Sequence, residues 1–148
     1  AGIWLDGIAV PLNGPTEEFH IPELYDHIRG LSPHALISYK QGVTGTEDFF
    51  APEHEIPKDG EDKRKQGHIG SVNKPLEVCT TMAENPRSWG YWRGARHKTA
   101  EQVAAEADKA LEAGVNLLLN TGPLPDGSLD PEDTEALLEA ARIRKARS

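Results

Sequence analysis

Short apolar runs alternate with helix-patterned segments along this chain. That alternation is its strongest constraint, because strands separated by helices lie parallel, with the helices packed outside them. Residues 1–10 read as a first strand, broken by the dense loop punctuation of Val10-Pro11-Leu12-Asn13-Gly14-Pro15. Ala35-Leu36-Ile37-Ser38-Tyr39 reads as a second strand, Leu76 to Met82 as a third and Val115 to Asn120 as a fourth. In the first predicted helix Ile21, Leu24, Tyr25, Ile28 and Leu31 recur at helical spacing, with Pro22 at a first helical position and Gly30 near the stop. The second has Thr99 as N-cap and Gln102 closing a capping box; Val103, Ala107, Ala110 and Leu111 share a face, and Gly114 stops it. The last opens at Asp130 with Pro131 in its first turn and turns Leu137, Leu138 and Ala141 inward. It ends in Arg142, Arg144, Lys145 and Arg147, a cluster read as complementing the helix dipole.

Four strands cannot close a barrel, and 148 residues fall well short of the roughly 250 of an eight-unit one. The expectation is an α/β fold, a partial (β/α) TIM-type barrel of about four strand–helix units, spanning residues 1–148 as one truncated domain. Such a sheet leaves two bare edges, so a homo-oligomer is expected, in which a second copy covers them. The chain starts without Met and almost inside a strand, which points to a missing N-terminal portion or an unusually truncated domain.

A net charge of -8 argues against a nucleic-acid partner, since phosphate neutralisation needs clustered Lys and Arg. Cys79 is the sole cysteine, which excludes an intrachain disulfide and a multi-cysteine metal site. No apolar run approaches the roughly 20 residues that cross a bilayer, and the N-terminus has no signal-peptide pattern. The chain is therefore read as soluble, with no membrane partner and its compartment undetermined. His20, His27 and His34 read as surface, and His54, His68 and His97 as loop residues. Their spacing matches no metal site, and neither metal nor cofactor is expected.

Three stretches carry candidate chemistry. Gly2-Ile3-Trp4-Leu5-Asp6-Gly7 ends an apolar run in a carboxylate, and in parallel α/β folds that end of a strand faces the site; Asp-Gly after such a run is equally the commonest of turns. Residues 42–57 mix Glu47, Asp48, Phe49, Phe50, Glu53, His54 and Glu55 around two prolines, the composition of a binding rim. Ser88-Trp89-Gly90-Tyr91-Trp92 is too aromatic for a plain linker. Glu77, inside the third strand, requires a partner, and Asn120 is read as fixing the loop at its strand end. The polar, Gly-rich run 58–74 is read as a mobile surface insertion.

Trp4-Leu5-Asp6-Gly7, Gly45 to Glu53, Leu76 to Met82, Ser88-Trp89-Gly90-Tyr91 and Asn116 to Pro123 occur in that order over most of the chain. Together they resemble the α-L-fucosidases of glycoside hydrolase family 29, in the C-terminal half of the catalytic barrel. The resemblance implies a retaining exo-glycosidase that releases terminal α-L-fucose from oligosaccharides or glycoconjugates by double displacement. It places the nucleophile at Asp6 and the acid/base in the loop of Glu53, with Glu47 as rival. Trp4, Lys40, Glu77, Trp89 and Tyr91 are the candidate substrate contacts. An arginine that many members carry before the acid/base loop is absent from Ser38-Tyr39-Lys40-Gln41, and Lys40 supplies charge without the bidentate fork. The sugar-binding histidines and tryptophans of the first barrel strands have no counterpart here. The competing expectation is a catalytically silent half-barrel that oligomerises and at most binds carbohydrate.

Overall fold

The computed structural model describes residues 2–7, 16–56 and 74–147. The chain divides into two compact units, Ala1–Pro52 with Pro57–Glu77, and Glu53–Ile56 with Val78–Ser148. Most of the polar run 58–74, residues 8–10 of the first expected strand, the loop from Val10 to Pro15 and His68 lie outside the described residues.

In the first unit β1 (Gly2–Leu5) and β2 (Leu36–Tyr39) pair in parallel, with Gly2 opposite Leu36 and Leu5 opposite Tyr39. A short 3-10 turn (Thr16–Phe19) leads into α1 (Ile21–Leu31). Ile21, Tyr25 and Ile28 fall on one face by their three- and four-residue spacing, and that face meets Ile37, Tyr39, Leu5 and Val43 to form a core. The stripe is narrower than its periodicity predicts: Leu31 is 76% exposed and Leu24 is also exposed. Gly30 lies near the stop as expected: the helix ends at Leu31 and closes where the Ser32 N–H reaches the Ile28 carbonyl at 2.9 Å.

Three contacts give the loop after β2 its shape. Gly42 adopts φ +86, and a Cβ there would lie 2.4 Å from the Phe50 ring, so only glycine fits this turn. Beyond it the Asp48 N–H donates to the Ile37 carbonyl at 2.8 Å and Phe50 makes a parallel bridge to Leu76.

The second unit holds the rest of β3 (Glu77–Thr81), then α2 (Ala100–Glu112), β4 (Asn116–Asn120) and α3 (Pro131–Arg147). The capping box forms as read: Gln102 N–H donates to Thr99 Oγ1 at 3.3 Å and Thr99 N–H to Gln102 Oε1 at 2.7 Å. Asp130 opens α3 by accepting the Glu132 N–H at 2.9 Å. Met82, Val103, Ala104 and Ala140 make the core, with Leu119, Ala136, Leu137 and Ile143 against it. Small side chains line this contact, so the larger Leu111, expected inside, is 70% exposed, and Leu138 and Ala141 also face outward. The basic cluster is not left to the helix dipole. Arg144 Nε and Arg147 Nη1 reach the two oxygens of Asp108 on α2 at 2.8 and 3.0 Å, pinning one helix to the other, while Arg142 pairs with Glu139 on its own helix.

The fold is thus α/β with parallel strand pairing and helices, as expected. Among the described residues the strands form two two-stranded sheets, β1 with β2 and β3 with β4, and not the expected continuous four-stranded arc. Among the described residues, Phe50 and Glu53 of the loop after β2 each make a single parallel bridge, to Leu76 and to Cys79, rather than a ladder. No described helix is long and apolar enough to cross a membrane.

Replacing Thr99 by Ala removes an N-cap and should lower unfolding free energy by about 1 kcal/mol in urea titrations. Gly42→Ala adds a clash to a left-handed turn, and the same titration should show a loss larger than that of Thr99→Ala.

Candidate active site

The parallel register of β1 and β2 ends with Leu5 opposite Tyr39, so the next residues, Asp6 and Lys40, emerge side by side. Lys40 has φ +48, which turns the chain at the strand end, and its ammonium, 5% exposed as a residue, lies 3.3 Å from Asp6 Oδ1. Asp6 itself faces solvent, its side chain 69% exposed. Trp4, two residues before Asp6, projects to the same side of the strand. Its ring centroid is 4.7 Å from Lys40 Nζ, and its indole N–H donates to Glu77 Oε1 at 3.1 Å. Four sequence candidates, Trp4, Asp6, Lys40 and Glu77, thus form one cluster in the first unit. The buried charge of Lys40 is offset by Asp6 and the indole face. Burial first, and then the charge of Asp6, push the Tyr39 phenol above its ordinary value.

Glu47 is built into the unit's interior. It is completely buried, and its Oε1 accepts from the Tyr25 hydroxyl at 2.7 Å and from the Val43 and Thr44 N–H groups at 2.7 and 3.1 Å. Burial alone would raise its carboxyl. The Tyr25 hydroxyl and the backbone donors outweigh that, and the group is held below its ordinary value. Tyr25 responds in the opposite sense, raised by burial and by its bond to Glu47.

In the second unit Glu53 makes a parallel bridge to Cys79, and His54 follows in a left-handed conformation, φ +63. The His54 ring lies 4.9 Å from that of Trp89, centroid to centroid. Three features anchor the aromatic segment carrying Trp89 and Tyr91. Asn120 Nδ2 donates to the Trp89 carbonyl at 2.6 Å, and Thr81 Oγ1 to the Ser88 carbonyl at 3.0 Å. Gly122 packs so closely on Gly90 and Tyr91 that a Cβ would come within 2.5 Å of their backbone. Asn120 thus ties the end of β4 to a segment 31 residues before it in the chain. Below this segment Asp133 is buried in the first turn of α3, where His97 Nδ1 and the Thr121 hydroxyl bond its two oxygens. The Asp133 bond raises the His97 imidazole; burial opposes this, and the charges of Asp133, Glu132 and Asp130 add to it.

Sequence reasoning passed over His54 and Asp133. His54 had a signal, its place directly after Glu53 in the rim loop. Asp133 had none, since its partners lie 12 and 36 residues away in the chain. Among the described residues no group of three or more His, Cys, Asp or Glu side chains is arranged to hold a metal ion.

A strand-end carboxylate held by a buried lysine thus stands on an α/β scaffold of parallel strands and helices. The comparisons make that specific. A family model described as Alpha-L-fucosidase matches residues 2–145, and the chain belongs to that family. The structure resembles isoenzyme 1 of the α-L-fucosidase from Paenibacillus thiaminolyticus, with TM-score 0.72 and 27% identity over 95% of this chain and 34% of that one. It also resembles the α-L-fucosidase AlfC from Lactobacillus casei, solved with α-L-fucose product, with TM-score 0.64 and 28% identity over 83% of this chain and 34% of that one. The α-fucosidase of Thermotoga maritima shares the fold at TM-score 0.63 and 22% identity, over 85% of this chain and 25% of that one. The chain therefore spans about a third of the length of the first two. No curated protein gives a significant match.

Glu47 and His97 should affect stability with opposite pH dependence. Glu47, held below its ordinary 4.5, stabilises the fold above that value, and the contribution fades as pH falls through the lowered one. Unfolding free energy of Glu47→Gln against the parent should show a deficit of about 2 kcal/mol near neutrality that shrinks in acid. His97, raised above 6.5, stabilises below that value, and the contribution fades as pH rises through the raised one. The deficit of His97→Gln should therefore be larger at pH 5.5 than at pH 9.

Proposed function

We propose that this chain carries catalytic groups of a retaining α-L-fucosidase, with Asp6 as nucleophile. The observation that carries the reading is the Asp6–Lys40 contact at the paired ends of β1 and β2. It gives the carboxylate a point of charge to hold it, at the end of a rigid strand, as in-line attack requires. Asp6 attacks the anomeric carbon as a proton is delivered to the departing glycosidic oxygen. A covalent fucosyl ester forms and the aglycone leaves. Water, deprotonated by the same second carboxyl, then attacks the ester, so that fucose departs with its configuration retained and Asp6 is regenerated. Lys40 stands where an arginine is common, holding Asp6 by charge at one point.

Glu53 is the proton donor in this reading. Glu47 is disfavoured, because a buried carboxylate already accepting three hydrogen bonds and held below its usual range is a poor acid near neutrality. The contact geometry favours a second reading in which Glu77 takes that role, since its carboxylate meets Trp4 within the Asp6 cluster. Trp4, Trp89 and Tyr91 offer aromatic faces to the pyranose and its methyl group. The substrate class is a terminal α-L-fucoside of an oligosaccharide or glycoconjugate. AlfC has been solved with 4-nitrophenyl-α-L-fucopyranoside and with Fucα(1,6)GlcNAc, which supports that class. The partial (β/α)-barrel reading goes with this proposal, and a second copy of the chain is the proposed source of further strands and pocket walls.

Hydrolysis of an aryl α-L-fucoside tests it, with light scattering on the same samples. Asp6→Ala should lose about a thousandfold or more in rate, and early product should be the α-anomer by proton NMR. Of Glu53→Gln and Glu77→Gln, the true donor should lose about a hundredfold or more on a disaccharide, less on the activated aryl fucoside, and regain rate with azide. A folded parent no faster than Asp6→Ala would sink the enzyme reading and leave a catalytically silent, carbohydrate-binding half-barrel.

A further inference from the structure

A line of contacts in the second unit runs from a charged pair to an aromatic ring. Lys98 Nζ pairs with Glu106 at 2.7 Å and donates to Thr80 Oγ1 at 3.4 Å. Thr80 Oγ1 lies 3.3 Å from His54 Nδ1, and the His54 ring faces that of Trp89. The direction of each hydrogen bond follows from donor inventory. An ammonium only donates, so Thr80 Oγ1 accepts from Lys98. Thr80 is 5% exposed, and its hydroxyl proton needs an acceptor. Lys98 cannot serve, and the other contact of that oxygen is His54 Nδ1. Nδ1 is thus the acceptor offered to that hydroxyl, the arrangement in which an imidazole carries its proton on Nε2. The backbone is held as well: the His54 N–H donates to the Cys79 carbonyl at 2.9 Å in a left-handed conformation that few side chains adopt unless their surroundings impose it.

We infer that His54 is a positioning residue, fixed in ring plane and tautomer by Thr80 and Lys98, and that the ring so fixed sets the angle of the Trp89 indole as the wall for the apolar face of a pyranose. The wall's ligand rests on the reading of Trp89 as a sugar contact; the coupling of His54 to Trp89 does not. With the Trp89 carbonyl held by Asn120, the backbone of this wall is anchored on one side and its ring is supported on the other. His54 acts here through Trp89.

The test uses the full chain and two kinds of readout. Nitrogen-detected correlation spectra of the imidazoles, assigned with His54→Gln, should show Nδ1 unprotonated in the parent. Thr80→Val, which keeps the shape and removes the hydroxyl, should change that signature and shift the Trp89 indole N–H resonance. If Thr80→Val fails to fold, Lys98→Met serves, and the two tautomers should then mix. Calorimetric titration with L-fucose and with a fucosylated oligosaccharide should show binding weakened about three- to tenfold in His54→Ala, the scale of one neutral contact, and restored within about twofold in His54→Phe, which keeps a ring against Trp89. A parent with Nδ1 protonated, or a Trp89 resonance unmoved in His54→Ala, overturns the inference. So does sugar binding unchanged in His54→Ala. A parent that binds no sugar overturns Trp89 as sugar wall and counts against the fucosidase reading, and the spectra still decide whether His54 orients Trp89.

Discussion

A carboxylate taken out of water must be given donors, and each compact unit of this chain is arranged around one that has been. In the first, Glu47 collects a tyrosine hydroxyl and two backbone N–H groups, and so ties α1 to the loop that follows β2. In the second, Asp133 takes His97 and Thr121 and so joins the first turn of α3 to the loops after β3 and β4. An unpaired buried carboxylate would cost several kcal/mol, on the order of a small domain's whole stability. None of these loops can leave its place without exposing that cost. These loops also carry Lys40, Glu53, Trp89 and Tyr91.

The placement of Asp6 follows from β-sheet geometry. Parallel pairing in register brings the residues just past two adjacent strand ends together, and the left-handed turn at Lys40 keeps its ammonium against Asp6 and over the Trp4 ring. A lysine gives this carboxylate a single point of charge where an arginine would give a fork. The orientation of Asp6 depends correspondingly more on the strand, and on the Gly7 N–H that donates to its Oδ1 at 2.6 Å. The aromatic segment of the second unit is ordered by a different device. Gly122 lets two backbones touch, and Asn120 and Thr81 bond the carbonyls of Trp89 and Ser88. Its rings can then stand partly exposed without the chain beneath them yielding.

Much of the architecture was legible before any coordinates. The capping box at Thr99 and the opening of α3 at Asp130 rest on local chemistry, where a side chain satisfies backbone groups a few residues away. Periodicity erred where a helix face is decided by what lies against it. Leu31, Leu111 and Leu138 fit the repeat and still face outward, because alanines and β-strand side chains fill the space. The basic end of α3 was read as answering a dipole, and its partner proved to be Asp108, 36 residues away from Arg144.

The sequence by itself determined the α/β order of elements, their caps, and the family, because these depend on neighbours in the chain and on motifs that keep their order. Only the tertiary structure decided which carboxylates are which. Glu47, Glu53 and Glu77 are alike as letters in acidic, aromatic surroundings. In the fold one is a buried acceptor of three hydrogen bonds, one sits at a strand bridge beside His54, and one meets the indole of Trp4. The difference is physical: a carboxylate's proton affinity and reach are set by the donors and burial around it, and those come from residues distant in sequence.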